Sequence, residues 1–265
     1  MLAPGLRRFF AIAAALAFIA GVLLFVLAAE TDRFFSWTIE PPLTAAFLGA
    51  AYWAACVLLT WAARQRSWAP ARTALPPVFV IAVLLLIATL IRLDKFDLDS
   101  LFGWFWLVVY IAVPPLLVVL VARQHRATAP VPRGAGRLPP AVRALLAVQA
   151  AVMVALGGAL FVAPGTADAM WPWALTPLTA EAIGAFLVGF GVAAVAALWE
   201  DDVDRLEGPA LAYATLGLLE LAALAIHSDD VTASGLGTAL YAALWVSVIA
   251  AGAYGLIARR AASRS

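Results

Sequence analysis

The sequence predicts an all-α membrane protein in which eight transmembrane helices form two parallel four-helix repeats. Three observations predict this class. Hydrophobic residues occupy 65% of the 265 positions and charged residues only 12%, whereas charged residues make up about 25% of a soluble domain. The apolar residues fall into eight blocks, each long enough to cross a hydrocarbon layer of about 30 Å as a helix. Finally, the two halves of the chain resemble each other at a fixed spacing.

Each apolar block is predicted to be a helix, because unpaired backbone polar groups are costly in lipid and a helix pairs them internally. The first block follows Arg7 and Arg8, but its apolar run of about 20 residues is longer than the h-region of a signal peptide, so we expect it to be retained. The predicted spans are approximately 9–29, 42–63, 75–92, 101–122, 142–163, 178–199, 209–227 and 236–258.

The basic residues predict the orientation of these helices. If the helices alternate in direction, only Arg33, Arg92 and Lys95 of the 17 basic residues lie on the side opposite the termini. The positive-inside rule therefore predicts a multi-pass protein of the cell inner (plasma) membrane with both termini in the cytoplasm. The tryptophans near the predicted boundaries are expected to form aromatic belts at the two membrane surfaces. Those at the outer boundary are Trp37, Trp104, Trp106, Trp171 and Trp173.

A shift of 135 to 136 residues aligns helices one to four with helices five to eight. Since each half contains an even number of helices, both halves start and end on one side, and the repeat must be parallel. This divides the chain into a repeat at 1–123, a linker at 124–141 rich in proline, glycine and arginine, and a repeat at 142–265. The corresponding residues are Gly21 with Gly157, Phe25 with Phe161, Val26 with Val162, Trp37 with Trp173, PLTA at 42–45 with PLTA at 177–180, Gly49 with Gly184, Ile91 with Ile226 and Asp94 with Asp229.

Helices two and six carry small residues at every fourth position, which allows helices to approach closely in lipid. Ala46, Ala50 and Ala54 form one such seam, and Ala185 and Gly189 begin the other. We expect these two helices to line the interface between the halves. The alternative is ordinary packing within each half.

Helix four contains Pro114 and Pro115 near its middle. Each proline lacks an N–H donor and its ring clashes with the preceding turn, so the pair predicts a bend or a break in the helix. A break near the bilayer midplane would expose backbone carbonyls to a cavity, as in transporters with discontinuous helices. A simple packing kink is the alternative.

Glu220 is the first candidate for a functional residue, because an ionised group within a membrane span is costly unless it is paired or hydrated. It lies near the middle of helix seven, and its counterpart in the first half is Leu85. The alternative is a neutral acid hydrogen-bonded to Tyr213, Thr215 or a facing helix. Other polar or aromatic residues that could contribute to a ligand site between the repeats are Gln149, Tyr110, Tyr213 and Trp245.

The outer ends of helices three and seven carry a second group of candidates, in which acidic residues recur in both halves. These residues could converge on a cation, although one histidine and carboxylates of unknown geometry are a weak indication of a metal. We therefore predict no metal site and expect these residues to be helix caps and solvated acids. The members of this acidic cluster are Asp94, Asp97, Asp99, His227, Asp229 and Asp230.

The sequence contains none of the common catalytic or nucleotide-binding motifs and a single cysteine, Cys56. No cofactor and no nucleic-acid partner are predicted. We expect the protein to bind or translocate a small lipophilic or cationic molecule between the repeats. The alternatives are a non-catalytic structural or accessory subunit of a larger membrane complex, or a homo-oligomer of that kind, and then an intramembrane enzyme.

Overall fold

The computed structural model describes residues 1–127, 136–233 and 235–262 of the chain. Within these residues, eight helices are long and apolar enough to cross a membrane. The predicted class, a helical membrane protein with eight spans, is confirmed in this part of the chain. Residues 128–135 of the predicted linker at 124–141 lie outside the described residues.

The eight long helices are numbered α1 to α8 in chain order. All except α1, which is Pro4–Gly21 where 9–29 was predicted, begin and end within about four residues of the predicted bounds. Several start earlier or end later than predicted, because arginine side chains at a helix end can extend to water while the backbone stays helical. A proline at the first position, where no N–H donor is needed, opens four of them. The bounds are Pro4–Gly21, Pro42–Arg64, Leu75–Ile91, Leu101–Arg126, Pro140–Val162, Pro177–Glu200, Glu207–Ile226 and Gly235–Ala262.

Two of the spans include additional helical turns. A π-helical segment, Val22–Val26, extends α1, and the turns at Trp68–Ala71 and Arg72–Ala74 precede α3. The membrane-length units are therefore Pro4–Val26 and Trp68–Ile91. Short helical turns in the other connections are Ala28–Glu30, Thr31–Phe34, Leu93–Lys95, Pro164–Ala167, Asp168–Met170, Val203–Arg205 and Ser228–Asp230.

The core of the bundle is centred on α2 and α6, which have 67% and 61% of their most apolar windows buried. The most extensively packed pairs are α1 with α2, α5 with α6, α7 with α8, α2 with α7 and α3 with α6. The contacts of α2 with α7 and of α3 with α6 join the first and second halves of the sequence. A smaller contact joins α2 directly to α6.

Close backbone approach at glycine explains two of these pairs. A Cβ added at Gly49 would lie 2.5 Å from the backbone nitrogen of Phe25, and a Cβ added at Gly184 would lie 2.9 Å from the backbone nitrogen of Phe161. Neither position has room for a side chain. The α1–α2 and α5–α6 contacts therefore both depend on a glycine that lets two backbones touch.

Both ends of the bundle are held by contacts between distant segments. At one end, which we call the terminal face, the Leu2 N–H donates to the Arg66 carbonyl, and Trp61 donates to Glu207. At the other end, the opposite face, the Thr232 N–H donates to the Pro172 carbonyl. The terminal face thus holds the start of α1, the end of α2 and the start of α7.

Ion pairs connect α3 to α6 at both faces, and in each pair α6 provides the buried carboxylate. Arg92 at the opposite face contacts Glu181 at 2.7 Å, and Arg72 at the terminal face contacts Glu200 at 2.7 Å. Hydrogen bonding to Glu181 raises the pKa of Arg92, so this guanidinium stays charged. The two pairs fix the position of α3 against α6 along the length of the bundle.

Of the predicted bend or break in α4, the break is not found, and the bend stays a prediction. The helix continues from Leu101 to Arg126 with Pro114 and Pro115 in its interior, the first buried and the second exposed. A proline in a helix removes one backbone hydrogen bond, and the bonds on either side are sufficient to keep the helix continuous here. No opening for a ligand follows from these residues.

Candidate functional site

Glu220 is completely buried and only partly hydrogen-bonded. Its Oε2 accepts a hydrogen bond from the Tyr241 hydroxyl of α8 at 3.0 Å. Its Oε1 is also buried and has no hydrogen-bond partner in the described part of the chain. A buried polar atom without a partner carries its full desolvation cost, which an incoming donor or cation would relieve.

Tyr241 connects this carboxyl group to a cluster of five rings, which we call the aromatic cluster. It contacts Trp171, Trp173 and Trp245, with ring centroids 5.6, 5.3 and 5.8 Å away. The fifth ring is Phe47 of α2, which lies 5.5 Å from Trp171. All of these contacts are edge-on, so the rings form a closely packed group beside Glu220.

The first half of the sequence contributes one wall of this cluster. Besides Phe47, α2 provides Thr44, whose Oγ1 accepts a hydrogen bond from the Trp173 indole at 2.8 Å. The cluster is therefore assembled from α2, the connection between α5 and α6, and α8. It lies where the two halves of the chain meet.

A pocket of about 460 Å³ at the opposite face is lined by Trp171 and Trp173. It shares Ala174 and Thr232 with a neighbouring pocket of about 790 Å³. Among the described residues that line these two pockets, none is basic, and the acidic ones are Asp32, Glu40 and Asp230. The two pockets form a polar, acidic region on the outer side of the aromatic cluster.

A second group of rings occurs in the first half of the sequence. Phe35, Trp37 and Trp106 are in mutual contact, with centroids 4.8 to 5.5 Å apart, and Tyr110 lies 4.3 Å from Trp106. The Trp106 indole donates to Thr89 Oγ1. No carboxyl group corresponding to Glu220 is found among the described residues of this group, since position 85 is leucine.

The structure separates the predicted ligand-binding residues. Trp245 shares the aromatic cluster with Tyr241, the partner of Glu220. Tyr213 instead donates to the Phe190 carbonyl at 2.7 Å, Gln149 donates to Ser247 at 2.9 Å, and the hydroxyls of Tyr110 and Tyr52 are hydrogen-bonded to each other. Of the partners considered for Glu220, which were Tyr213, Thr215 or a facing helix, the structure shows the facing helix, since Tyr241 of α8 donates to it. The hydroxyl of Tyr213 is directed to the α6 backbone.

Sequence reasoning missed Tyr241, Trp171 and Trp173 as site residues. The two tryptophans were expected in an aromatic belt at the membrane surface, but their exposed fractions are 5% and 1%. Trp37 and Trp106 are also buried, and of the outer set Trp104 is exposed. The signal available in the sequence was the correspondence of Tyr241 with Trp106 at the repeat spacing, since both precede a second aromatic residue by four positions.

The acidic cluster does not form a single site. Asp230 Oδ2 accepts from the Leu43 N–H at the start of α2, Asp97 Oδ1 accepts from the Asp99 N–H, and Asp94 pairs with Lys95. No group of three or more potential ligands that could hold a metal is present among the described residues. Asp230 alone acts between the two halves, as a helix cap for α2.

The chain matches no protein-family model, no curated protein and no solved structure.

Proposed function

We propose that the protein binds a small lipophilic cation, for which Glu220 provides the counter-charge and the aromatic cluster provides the walls. The observation that carries this proposal is that the buried Glu220 Oε1 has no hydrogen-bond partner among the described residues, while its Oε2 accepts from Tyr241, one of the rings of the aromatic cluster. An ionisable group within a membrane span is a functional candidate by default. Aromatic rings attract organic cations through their negative faces, most strongly where water is excluded.

The charge of the outer region supports a cationic rather than an anionic ligand. Asp32, Glu40 and Asp230 line the pocket of about 790 Å³, which adjoins the pocket lined by Trp171 and Trp173. Acidic walls raise the local concentration of cations. Because the rings of the aromatic cluster touch one another, binding requires Trp171 and Trp173 to separate and admit the ligand from this side.

The proposal includes the parallel repeat and the cytoplasmic location of both termini. Three observations support the repeat. The packed pairs occur in corresponding sets, so that α1–α2 corresponds to α5–α6 and α2–α7 to α6–α3. Gly49 and Gly184 approach corresponding backbone nitrogens. The rings of Phe35, Trp37, Trp106 and Tyr110 pair as do those at 171, 173, 241 and 245.

A ligand site that only one half retains fits a duplicated chain. Glu220 corresponds to Leu85 of the first half, and Tyr241 corresponds to Trp106. The hydroxyl of Tyr241, which a tryptophan lacks, donates the hydrogen bond to the Glu220 carboxyl group. The first-half rings would then serve packing alone. Phe47 and Thr44 from α2 complete the second-half cluster, which supports a site between the two halves.

The test is equilibrium binding of tetraphenylphosphonium to the purified protein in mild detergent, followed by the fluorescence of the clustered tryptophans. Glu220→Gln keeps the shape of the side chain and removes its charge. We expect it to weaken binding at least about tenfold, since a desolvated charge contributes on the order of 1.4 kcal/mol or more. Tyr213→Phe is the matched control, because it removes a buried hydroxyl outside the cluster.

Two results would contradict the proposal. One is equal affinity of the wild type and Glu220→Gln, and the other is an equal loss in Tyr213→Phe. Uptake of the same probe into proteoliposomes then distinguishes translocation from binding alone. Uptake that Glu220→Gln abolishes would identify a carrier.

A non-catalytic subunit is the second candidate, and the close contact of the rings favours it. In that case Glu220 is a neutral acid whose bond to Tyr241 joins α7 to α8. Tetraphenylphosphonium then fails to bind, and Glu220→Gln changes stability alone. Native mass spectrometry of the protein from its own membrane would show a second subunit or a second copy of the chain.

A further inference from the structure

A groove at the terminal face has the amphipathic character of a lipid site and is unrelated to Glu220. It lies between α3, α4 and α6 and has a volume of about 620 Å³. Its long walls are apolar and include Leu75, Phe79, Leu117 and Val121. This volume is within the range of ligand pockets, which is about 300–1,000 Å³.

The mouth of the groove is polar and aromatic. Trp68 and His125 line it and contact each other edge-on at 5.4 Å. Trp199 lines it as well and is 71% exposed. Tryptophan is enriched at the level of lipid headgroups, so this end of the groove belongs at the membrane surface and the apolar walls extend into the hydrocarbon.

Arg72 is held rigidly at this mouth. Its Nε and Nη2 donate to the two oxygens of Glu200 at 2.7 and 2.8 Å. This bidentate contact leaves Nη1 as the guanidinium nitrogen that Glu200 does not engage. Glu200 also accepts a hydrogen bond from Arg205 at 2.8 Å, so its negative charge is shared between two arginines.

The residues adjacent in sequence to the groove lining include acids and bases. Asp201 and Asp202 follow Glu200 and are paired with Arg143 and Arg205. Arg66 is two positions before Trp68, Arg123 follows Ala122, and Arg126 follows His125, and all three are exposed. Within the described lining of the groove the one acidic residue is Glu200, which is already paired. The mouth is therefore complementary to an anionic group and not to a cationic one.

We infer that this groove holds an anionic phospholipid from the bilayer leaflet at the terminal face. One acyl chain lies along the walls formed by Leu75, Phe79 and Leu117, and the phosphate is bound by Arg72 with His125 beside it. Basic pockets between transmembrane helices are the usual sites for acidic headgroups. The groove opens toward lipid, since Phe79 and Val118 in its walls are exposed on the surface of the bundle.

The test compares phosphatidylglycerol with phosphatidylcholine of the same acyl chains by native mass spectrometry of the full-length protein in mild detergent. We expect phosphatidylglycerol to remain bound under collisional activation that removes phosphatidylcholine. Arg72→Gln removes the charged donor, and we expect about tenfold weaker retention of phosphatidylglycerol, since hydrogen bonds to charged groups are the strong class. Arg143→Gln is the matched control: Arg143 is also at the terminal face, pairs with Asp201 at 3.4 Å and is absent from the described lining of the groove.

A second variant keeps the proposal testable even if loss of the Arg72–Glu200 pair unfolds the protein. Ala196→Phe fills the groove from its α6 wall without changing any charge. We expect it to lose the bound phosphatidylglycerol while it elutes as a folded species in size-exclusion chromatography. Equal retention of the two lipids, retention in folded Ala196→Phe, or an equal loss in Arg143→Gln would each overturn the proposal.

Discussion

The contact between α5 and α6 makes a sharp prediction, because two adjacent glycines in α5 have opposite surroundings. A Cβ added at Gly157 would lie 2.8 Å from the carbonyl oxygen of Gly184 and 2.9 Å from the backbone nitrogen of Val188. A Cβ added at Gly158 would have nothing within 4 Å. Gly157→Ala must therefore push two helix backbones apart, whereas Gly158→Ala places its methyl group in open space.

The expected magnitudes follow from this geometry. Overpacking of this kind costs about 1–3 kcal/mol, and backbone atoms cannot relieve it by changing a rotamer. We expect Gly157→Ala to lower the free energy of unfolding by about that amount. Gly158→Ala should leave it unchanged or raise it by up to about 1 kcal/mol, because alanine is the better helix former.

The assay is thermal or denaturant unfolding of the two variants and the wild type in the same detergent. The midpoint of Gly157→Ala should fall by several degrees, and that of Gly158→Ala should not. If the two variants unfold together, the close α5–α6 backbone contact is wrong, and with it the packing that we derive from it.

Three further predictions concern the contacts that hold the site and the bundle. Tyr241→Phe leaves both oxygens of Glu220 without a hydrogen-bond partner in the described part of the chain, so we expect the free energy of unfolding in denaturant to fall by about 1–3 kcal/mol. A fall no larger than that of a surface substitution would contradict the hydrogen bond. Arg92→Gln leaves the buried Glu181 carboxylate without its ion pair, and we expect the free energy of unfolding to fall by a similar amount. The double variant Arg92→Gln with Glu181→Gln should recover most of that stability, because it removes the unpaired charge. If the double variant is less stable than the single one, Glu181 has another role. Thr44→Val removes the acceptor of the Trp173 indole between the two halves, so the tryptophan emission of the aromatic cluster should shift and stability should fall by about 1 kcal/mol, whereas an unchanged spectrum would place Trp173 elsewhere.

Periodicity and hydropathy were sufficient to predict the membrane class, the number of helices and most of their bounds. The predicted span 42–63 and the observed Pro42–Arg64 differ by one residue at the end. Such agreement is expected, because the helices are specified by the length of the apolar blocks and by prolines at their starts, and both are local properties of the sequence. The identification of Glu220 as a buried polar group had the same basis.

The partners of these residues could not be predicted. Tyr241, and not Tyr213, binds Glu220, because the choice depends on how α7 is rotated against α8 and α6. Trp171 and Trp173 are buried and not part of a belt, because a connection between helices folds back over the end of the bundle. The uninterrupted helix at Pro114 and Pro115 also depended on context, since a proline can be accommodated when the neighbouring turns remain bonded.

The sequence by itself determined which segments leave water, since transfer of apolar residues into lipid depends on composition along the chain and on nothing distant. Only the tertiary structure decided which polar groups meet after that transfer. In a lipid environment nearly every face of these helices is apolar, so hydropathy carries little information on which face turns inward. Close contacts at Gly217 and Gly252 fix α7 against α8, and the contact of Gly208 with Trp61 fixes α7 against α2. These packed helices bring Glu220, Tyr241 and Phe47 to one part of the bundle.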